Sequence, residues 1–214
     1  MPIRALHLAL LALAAPTSAM TQMLPDSGKY FVRHGRDTVA TEHFVRTATR
    51  LEGTLAIHNK KRTSQRWTAV VGPDGTLPLV DVTVWEGVDG PGKMRVIQRA
   101  RVIFKEDSAA VDVFAGDGLQ TRLFATERGA VPYLNLSFAL MEQAVRLARG
   151  APEQAEVAFF NLGGGQTVVA KLSPLGTDSL LLDIGKVRYH LRVDSLGRVL
   201  GGRIPSQDVV VDRR

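Results

Sequence analysis

The chain has 214 residues, of which 45% are hydrophobic and 22% are charged, and its formal net charge is +6. This length allows one domain, or two small ones, with a substantial buried core. The chain contains no cysteine, which excludes disulfides, thiolate metal sites and cysteine nucleophiles. The basic balance favours anionic partners such as membrane headgroups or surface polysaccharide, or simply a solvated surface with excess arginine.

The N-terminus has the organisation of a secretory signal peptide. A cationic start (1–4) precedes a mostly apolar run (5–15), and small residues follow as far as Ala19. A membrane anchor is the alternative, but the apolar run is too short to cross a bilayer, which takes about 20 residues. We expect cleavage after Ala19, a single mainly-β domain over 20–214, and a bacterial periplasmic or secreted location.

From Gly28 onward the chain is a succession of short extended segments separated by glycine-, proline- and aspartate-rich turns such as 72–75 and 89–92. Connections this short favour antiparallel hairpins over crossover units. The predicted strands are 29–33, 38–48, 53–60, 64–71, 76–85, 94–104, 109–114 and 119–126, and then 156–160, 166–172, 179–184, 187–193, 198–203 and 207–211.

Several of these segments alternate apolar and polar residues, as a strand with one wet face does. The clearest is 187–193, where arginine and histidine alternate with valine, tyrosine and leucine. Over 94–104 the same rule predicts two faces, with Met94, Val96, Ala100, Val102 and Phe104 on one, and Arg95, Arg99 and Arg101 on the other.

The segment 134–149 has helical spacing instead. Asn135 or Ser137 can cap its start, and Gly150 with Pro152 gives a stop signal. We therefore predict a mainly β fold, a curved antiparallel sheet or half-open β-barrel with one amphipathic helix over about 134–149. A domain boundary near 130–152 is the less economical alternative. The apolar stripe of the helix comprises Leu136, Leu140, Met141, Ala144 and Val145.

The motifs that would carry chemistry are weak. The glycine run 163–165 lacks the lysine of a phosphate-binding loop and continues as a strand. The segment 26–28 reads Asp-Ser-Gly, but aspartic-peptidase chemistry needs a second carboxylate. There is no nucleophile elbow. We predict no catalytic residue, no metal and no cofactor, although imidazole ligands could still converge from the separate histidines His34, His43, His58 and His190.

The densest basic patch comprises Lys60, Lys61, Arg62 and Arg66, at an apparent hairpin beside Trp67. Such a loop could contact anionic membrane headgroups, where each cation contributes about 1 kcal/mol. A solvated turn is the alternative interpretation. We predict no nucleic-acid binding, because the alternating aromatic platforms that stack bases are missing.

Two segments resemble proteins of the bacterial envelope. The opening stretch from Tyr30 to Phe44 (Tyr-Phe-Val-Arg-His-Gly-Arg-Asp-Thr-Val-Ala-x-Glu-x-Phe) resembles a first hairpin, and Leu191 to Leu200 resembles a penultimate turn, of unclosed β-barrel families. The lipoprotein-carrier family and the DUF3108-like periplasmic family share this layout. In the carrier family, a helix covers the concave apolar face of the sheet and lipid chains lie between them.

Three functional hypotheses follow. The first is a non-catalytic exported binding protein that holds a lipid or other apolar ligand between the curved sheet and the helix, with the helix stripe as the lid. The second is an envelope structural or interaction protein that docks a partner through its basic face or a sheet edge. The third is a hydrolase whose residues come from separate strands.

Overall fold

A computed structural model describes residues 25–87, 93–116, 118–149 and 154–214 of the chain. The predicted signal peptide lies outside these residues, as do the predicted turn at 89–92 and the helix stop at Gly150 and Pro152. Among the described residues, no helix has the length and apolar character needed to cross a membrane.

The described chain is built mainly of strands. The first eight are β1 (Asp26–His34), β2 (Asp37–Arg46), β3 (Arg50–Ile57), β4 (Thr63–Val70), β5 (Leu79–Gly87), β6 (Met94–Phe104), β7 (Ser108–Ala115) and β8 (Gly118–Ala125). A short β9 (Val131–Tyr133) precedes the helix α1 (Phe138–Ala148). The rest are β10 (Ala155–Asn161), β11 (Thr167–Pro174), β12 (Ser179–Ile184), β13 (Val187–Val193), β14 (Val199–Ile204) and β15 (Val209–Arg213), with a 3₁₀ turn at Pro205–Gln207.

All the strands form one sheet, in the order β8-β7-β6-β5-β4-β3-β2-β1-β15-β14-β13-β12-β11-β10-β9. Successive strands pair as antiparallel hairpins from β1 to β8 and from β10 to β15, and β9 pairs parallel to β10 because α1 lies between them in the chain. The first strand, β1, pairs with the last, β15, so the two ends of the described chain meet in the middle of the sheet. The two edges of the sheet are β8 and β9.

The sheet curls until the edge strand β8 approaches β10 and β11, near the other end of the sheet, without pairing with them. The ring of Phe124 on β8 lies edge-on to Phe160 on β10, with centroids 6.0 Å apart. Just beyond β8, the hydroxyls of Thr126 and Thr167 are 2.8 Å apart. This is an open, unclosed β-barrel, and it confirms the predicted fold class.

The helix α1 lies inside the curled sheet. All eight residues from Phe138 to Val145 are buried, so the first two turns are enclosed on every side rather than along one stripe. Ser137 is the N-cap, and its hydroxyl accepts a hydrogen bond from the Leu140 N–H. Helix formation starts later than the predicted 134 because Leu136 has φ of +67°, outside the helical region.

The alternation predicted for β13 is confirmed, with Tyr189, Leu191 and Val193 buried and Arg188 and Arg192 exposed. The alternation predicted for all of 94–104 is wrong in its first part. The β5–β6 register shifts between Val84 and Trp85, so Val84 faces Gln98 while Trp85 faces Val96. This β-bulge adds one residue to β6 and reverses the faces beyond it. Met94 and Val96 therefore lie on the outer face, not with the buried Val102.

Candidate functional site

A buried carboxylate on the sheet holds the start of the helix. Glu42 on β2 accepts hydrogen bonds from the backbone N–H groups of Phe138 and Ala139, at 2.7 and 3.0 Å, and from the hydroxyl of Ser137. These are N–H groups that an α-helix leaves without internal partners. Complete burial raises the pKa of Glu42 from 4.5 to about 7, although these hydrogen bonds oppose the shift.

A second buried carboxylate, Glu142, joins the middle of the helix to three parts of the sheet. Its Oε2 accepts hydrogen bonds from the Tyr30 hydroxyl at 2.9 Å, from the Val199 N–H at 2.9 Å and from Arg213 at 3.0 Å. Its Oε1 accepts from Arg146 at 2.9 Å. Burial, with Glu142 next to it, raises the pKa of Tyr30 well above its usual value.

The same network continues on either side of Glu142. Arg46 on β2 lies 3.7 Å from Glu142 and donates to the amide oxygen of Gln143, and burial lowers its pKa to about 10. The Asp26 carboxylate accepts hydrogen bonds from Arg213 at 2.6 Å and from Arg146 at 3.1 Å. Each buried charge thus has an opposite charge or a hydrogen-bond donor, as burial requires.

This polar cluster is closed to substrate. Glu42 and Glu142 are fully buried and both are occupied by protein donors. Tyr30, also fully buried, stacks on Phe44 with ring centroids 5.5 Å apart. We interpret the cluster as the device that fixes α1 in the barrel, because a catalytic group must reach the substrate.

A pocket opens beside the C-terminal end of α1. It has a volume of about 280 Å³ and lies between the last helical turn, the ends of β11 and β12, and the β13–β14 turn. This volume is slightly below the usual 300–1,000 Å³, roughly, of small-molecule sites. The apolar side chains that line it are Val145, Ala148, Ala155, Leu172, Pro174, Leu180 and Val193.

Polar groups form the other part of the pocket lining. The Asp194 carboxylate accepts hydrogen bonds from the N–H groups of Leu196 and Arg198 and from the Arg198 side chain. These contacts lower the pKa of Asp194, although burial opposes the shift. Arg149, the C-cap of α1, is exposed, and within the described residues its guanidinium has no hydrogen-bond or ion-pair partner. Among the described residues that line the pocket, Arg149 is the one cation, and it lies next to the apolar lining.

The apolar residues of the helix that were predicted to cover a ligand lie in different surroundings in the structure. Leu140, Met141 and Ala144 are buried in the packed core, and Leu136 is half-buried ahead of the helix. Val145 is the member of the stripe that lines the pocket, together with Ala148 and Arg149, which the stripe did not include. The part of the helix that borders the pocket is thus its C-terminal end.

The predicted basic patch lies on the β3–β4 hairpin. Lys60, Lys61 and Arg62 occupy its turn, and Arg66 points outward from β4; all four are exposed. Lys61 is 3.5 Å from Glu86 of β5. The basic face of β13 is partly neutralised, since Arg188 pairs with Asp183 at 3.0 Å.

In the described ranges, no group of three or more histidine or acidic side chains is placed to hold a metal ion. His58 contacts the Thr41 hydroxyl at 3.3 Å, and none of the hydrogen bonds in those ranges joins a histidine to an acid. His43 and Glu52 do line one groove of about 570 Å³, but it crosses the polar outer surface of the barrel.

The polar cluster was missed by sequence reasoning. A signal existed for Glu142, which lies among Leu140, Met141, Ala144 and Val145 and so at the centre of an apolar helical segment. Such a charge needs a buried partner. No local pattern indicates that Tyr30 and Arg213, far away in the sequence, supply it.

Comparisons with known proteins identify the fold. No protein-family model matches the chain, and no curated protein matches it. Among solved structures, it is similar to a DUF1089 family protein from Pseudomonas aeruginosa (TM-score 0.57, 13% identity, 78% of this chain and 90% of that one). It is also similar to a β-barrel-like DUF1849 protein from Brucella abortus (TM-score 0.52, 11% identity, 90% of this chain and 96% of that one). At these identities the likeness shows a shared unclosed β-barrel fold.

Proposed function

We propose that the chain is an exported, non-catalytic binding protein that holds a small apolar ligand with an anionic end. The observation that carries the proposal is the pocket at the end of α1, where apolar side chains lie next to the available Arg149. A concave apolar site with a single orienting polar group is the usual form of a small-molecule site. The predicted signal peptide supports a periplasmic or secreted location.

The pocket also limits what the ligand can be. At about 280 Å³, it suits a short acyl chain or the end of a longer one. Along α1, the side chains from Phe138 to Val145 are buried in the core. We therefore place the ligand at the C-terminal end of the helix rather than along its whole length.

Dodecanoate and dodecanol are suitable probes. Calorimetric titration should show one dodecanoate bound per chain. Leu180→Trp should abolish binding by filling the pocket, whereas Val168→Trp, on an exposed site of β11, should not. Arg149→Gln should weaken dodecanoate and leave dodecanol unchanged, with Arg188→Gln as the matched control cation.

Native mass spectrometry of protein purified from a bacterial envelope fraction tests the same proposal without a chosen ligand. A bound mass lost in Leu180→Trp would support it. A clean unliganded mass together with no uptake of dodecanoate would refute it.

A further inference from the structure

The β-bulge in β6 assembles an exposed apolar patch on the outside of the barrel. Side chains that lie directly opposite each other in an antiparallel pair share a face of the sheet. Trp85 faces Val96, and Gly87 faces Met94, in the register beyond the bulge. Because Val80 and Val82 of β5 are buried, Trp85 points outward and brings Val96 to the outer face with it.

A second row of neighbours extends the patch to the edge of the sheet. Across the outer face, Arg66 on β4 lies opposite Thr83, Thr83 opposite Arg99, Arg99 opposite Phe114, and Phe114 opposite Leu119. The inner faces of these strands carry the core. The row therefore places Arg99 directly beside the exposed Phe114, which is followed by Leu119, and places Arg66 two strands away from Arg99.

We call Trp85, Met94, Val96, Phe114 and Leu119 the outer patch. The exposed fractions are 41% for Met94, 43% for Val96, 53% for Phe114 and 54% for Leu119, and Trp85 is half-buried. Single exposed apolar residues are ordinary on protein surfaces, but a contiguous group rimmed by polar residues marks an interaction site.

Cations surround the outer patch. Arg66 and Arg99 are in its row, and the Arg62 guanidinium lies over Gly87, next to Met94. Exposed Lys93 directly precedes Met94, while Arg95 of β6 is exposed on the opposite face of the strand.

The nearest acids are largely neutralised. Asp81, in the next outer row, is held by Arg101 at 2.8 Å, and Glu86 is 3.5 Å from Lys61. Asp112 lies opposite Arg101 in the β6–β7 register and accepts a hydrogen bond from Thr121 at 2.7 Å. Among the described residues around the outer patch, the cations therefore outnumber the acids.

We propose that the outer patch docks the protein on an anionic phospholipid bilayer. Tryptophan and arginine have apolar bodies and polar ends, which suits the headgroup region of a membrane. The surrounding cations match the negative surface potential of anionic lipids. The alternation of exposed apolar and cationic groups is the composition that such a surface attracts. This proposal is independent of the pocket at the end of α1.

The test is binding of the purified protein to vesicles of phosphatidylglycerol and phosphatidylcholine, compared with phosphatidylcholine alone. We expect binding to the anionic vesicles that weakens as salt is added. The chain has two tryptophans, and Trp67 is fully buried. A blue shift of the fluorescence on addition of vesicles therefore reports Trp85.

Variants separate the charged and apolar contributions. The double variant Arg66→Gln/Arg99→Gln should weaken vesicle binding roughly 30-fold, since each cation near the bilayer strengthens it about fivefold. The control Arg188→Gln, on β13 away from the outer patch, should bind as the unmodified protein does. Phe114→Ser/Leu119→Ser should remove the residual binding at high salt. Thermal unfolding of each variant verifies that the barrel is intact.

Three outcomes would overturn the proposal. The first is that the protein binds both kinds of vesicle equally or binds neither. The second is that Arg188→Gln loses as much vesicle binding as Arg66→Gln/Arg99→Gln. The third is a dimer in solution that Phe114→Ser/Leu119→Ser converts to a monomer. The last would assign the outer patch to a second copy of the chain. Loss of dodecanoate binding in the pocket variants bears only on the pocket.

Discussion

Glu142 accepts a hydrogen bond from the hydroxyl of Tyr30, 112 residues earlier in the chain, at 2.9 Å inside the barrel. Tyr30 is on the first strand and Glu142 is near the middle of the helix, so this contact ties the enclosed element to the wall. Val199 and Arg213, from the other half of the sheet, bind the same carboxylate oxygen. The helix is therefore held by polar contacts with both halves of the sheet.

Glu142→Ala should lower the free energy of unfolding by about 3–5 kcal/mol, because it leaves buried cations without their counter-charge. Arg46 would lose its ion pair with Glu142, and Arg213 would keep Asp26 alone. Tyr30→Phe removes one donor and should cost about 1–2 kcal/mol. Urea unfolding measures both changes.

Glu156→Ala is the matched control, because its carboxylate is exposed and lies 3.9 Å from Lys171. Its effect should be within about 0.5 kcal/mol. If Glu142→Ala is no less stable than Glu156→Ala, the polar cluster does not anchor the helix.

Glu42 should make the protein less stable as the pH rises towards neutrality. Burial raises its pKa in the folded protein from 4.5 to about 7, so the folded state binds a proton that the unfolded chain releases over this range. The stabilisation is fully present below pH 4.5 and is lost as the pH rises through about 7. The difference in pKa corresponds to about 3 kcal/mol.

The measurement is urea unfolding from pH 4 to 8, expressed as the difference between the unmodified protein and Glu42→Gln. Taking the difference cancels the contributions that the two proteins share. Glu52→Gln, on the neighbouring strand and largely outside the core, should keep the pH dependence of the unmodified protein. Parallel profiles for the unmodified protein and Glu42→Gln would contradict the assignment.

The sequence was sufficient to predict most of the sheet. Turn residues and alternation place strands such as β12 and β13 at their observed bounds of 179–184 and 187–193. The short β9 (Val131–Tyr133) was missed, because it pairs with β10 across the helix and has only three residues. A strand of that length carries no readable period.

The bulge and the position of the helix could not be predicted, because both depend on distant pairing. The run around Val96 alternates well with Val102, and only the register with β5 shows that Ile97 interrupts it. Likewise, an apolar stripe predicts a helix on a surface. The burial of α1 on every side follows from how far the sheet curls.

Gly53→Ala should destabilise the protein for a purely steric reason. A Cβ at Gly53 on β3 would lie 2.4 Å from Cζ2 of Trp67 on the adjacent strand, closer than atoms can approach. Trp67 is fully buried, and because protein cores are close-packed we expect its ring to have little room to move, with a loss of about 3 kcal/mol. Gly118→Ala is the control, because a Cβ there would meet nothing within 4 Å. Equal melting temperatures for the two variants would mean that the Trp67 ring shifts to accommodate a methyl group, and that the barrel interior is less tightly packed than its burial indicates.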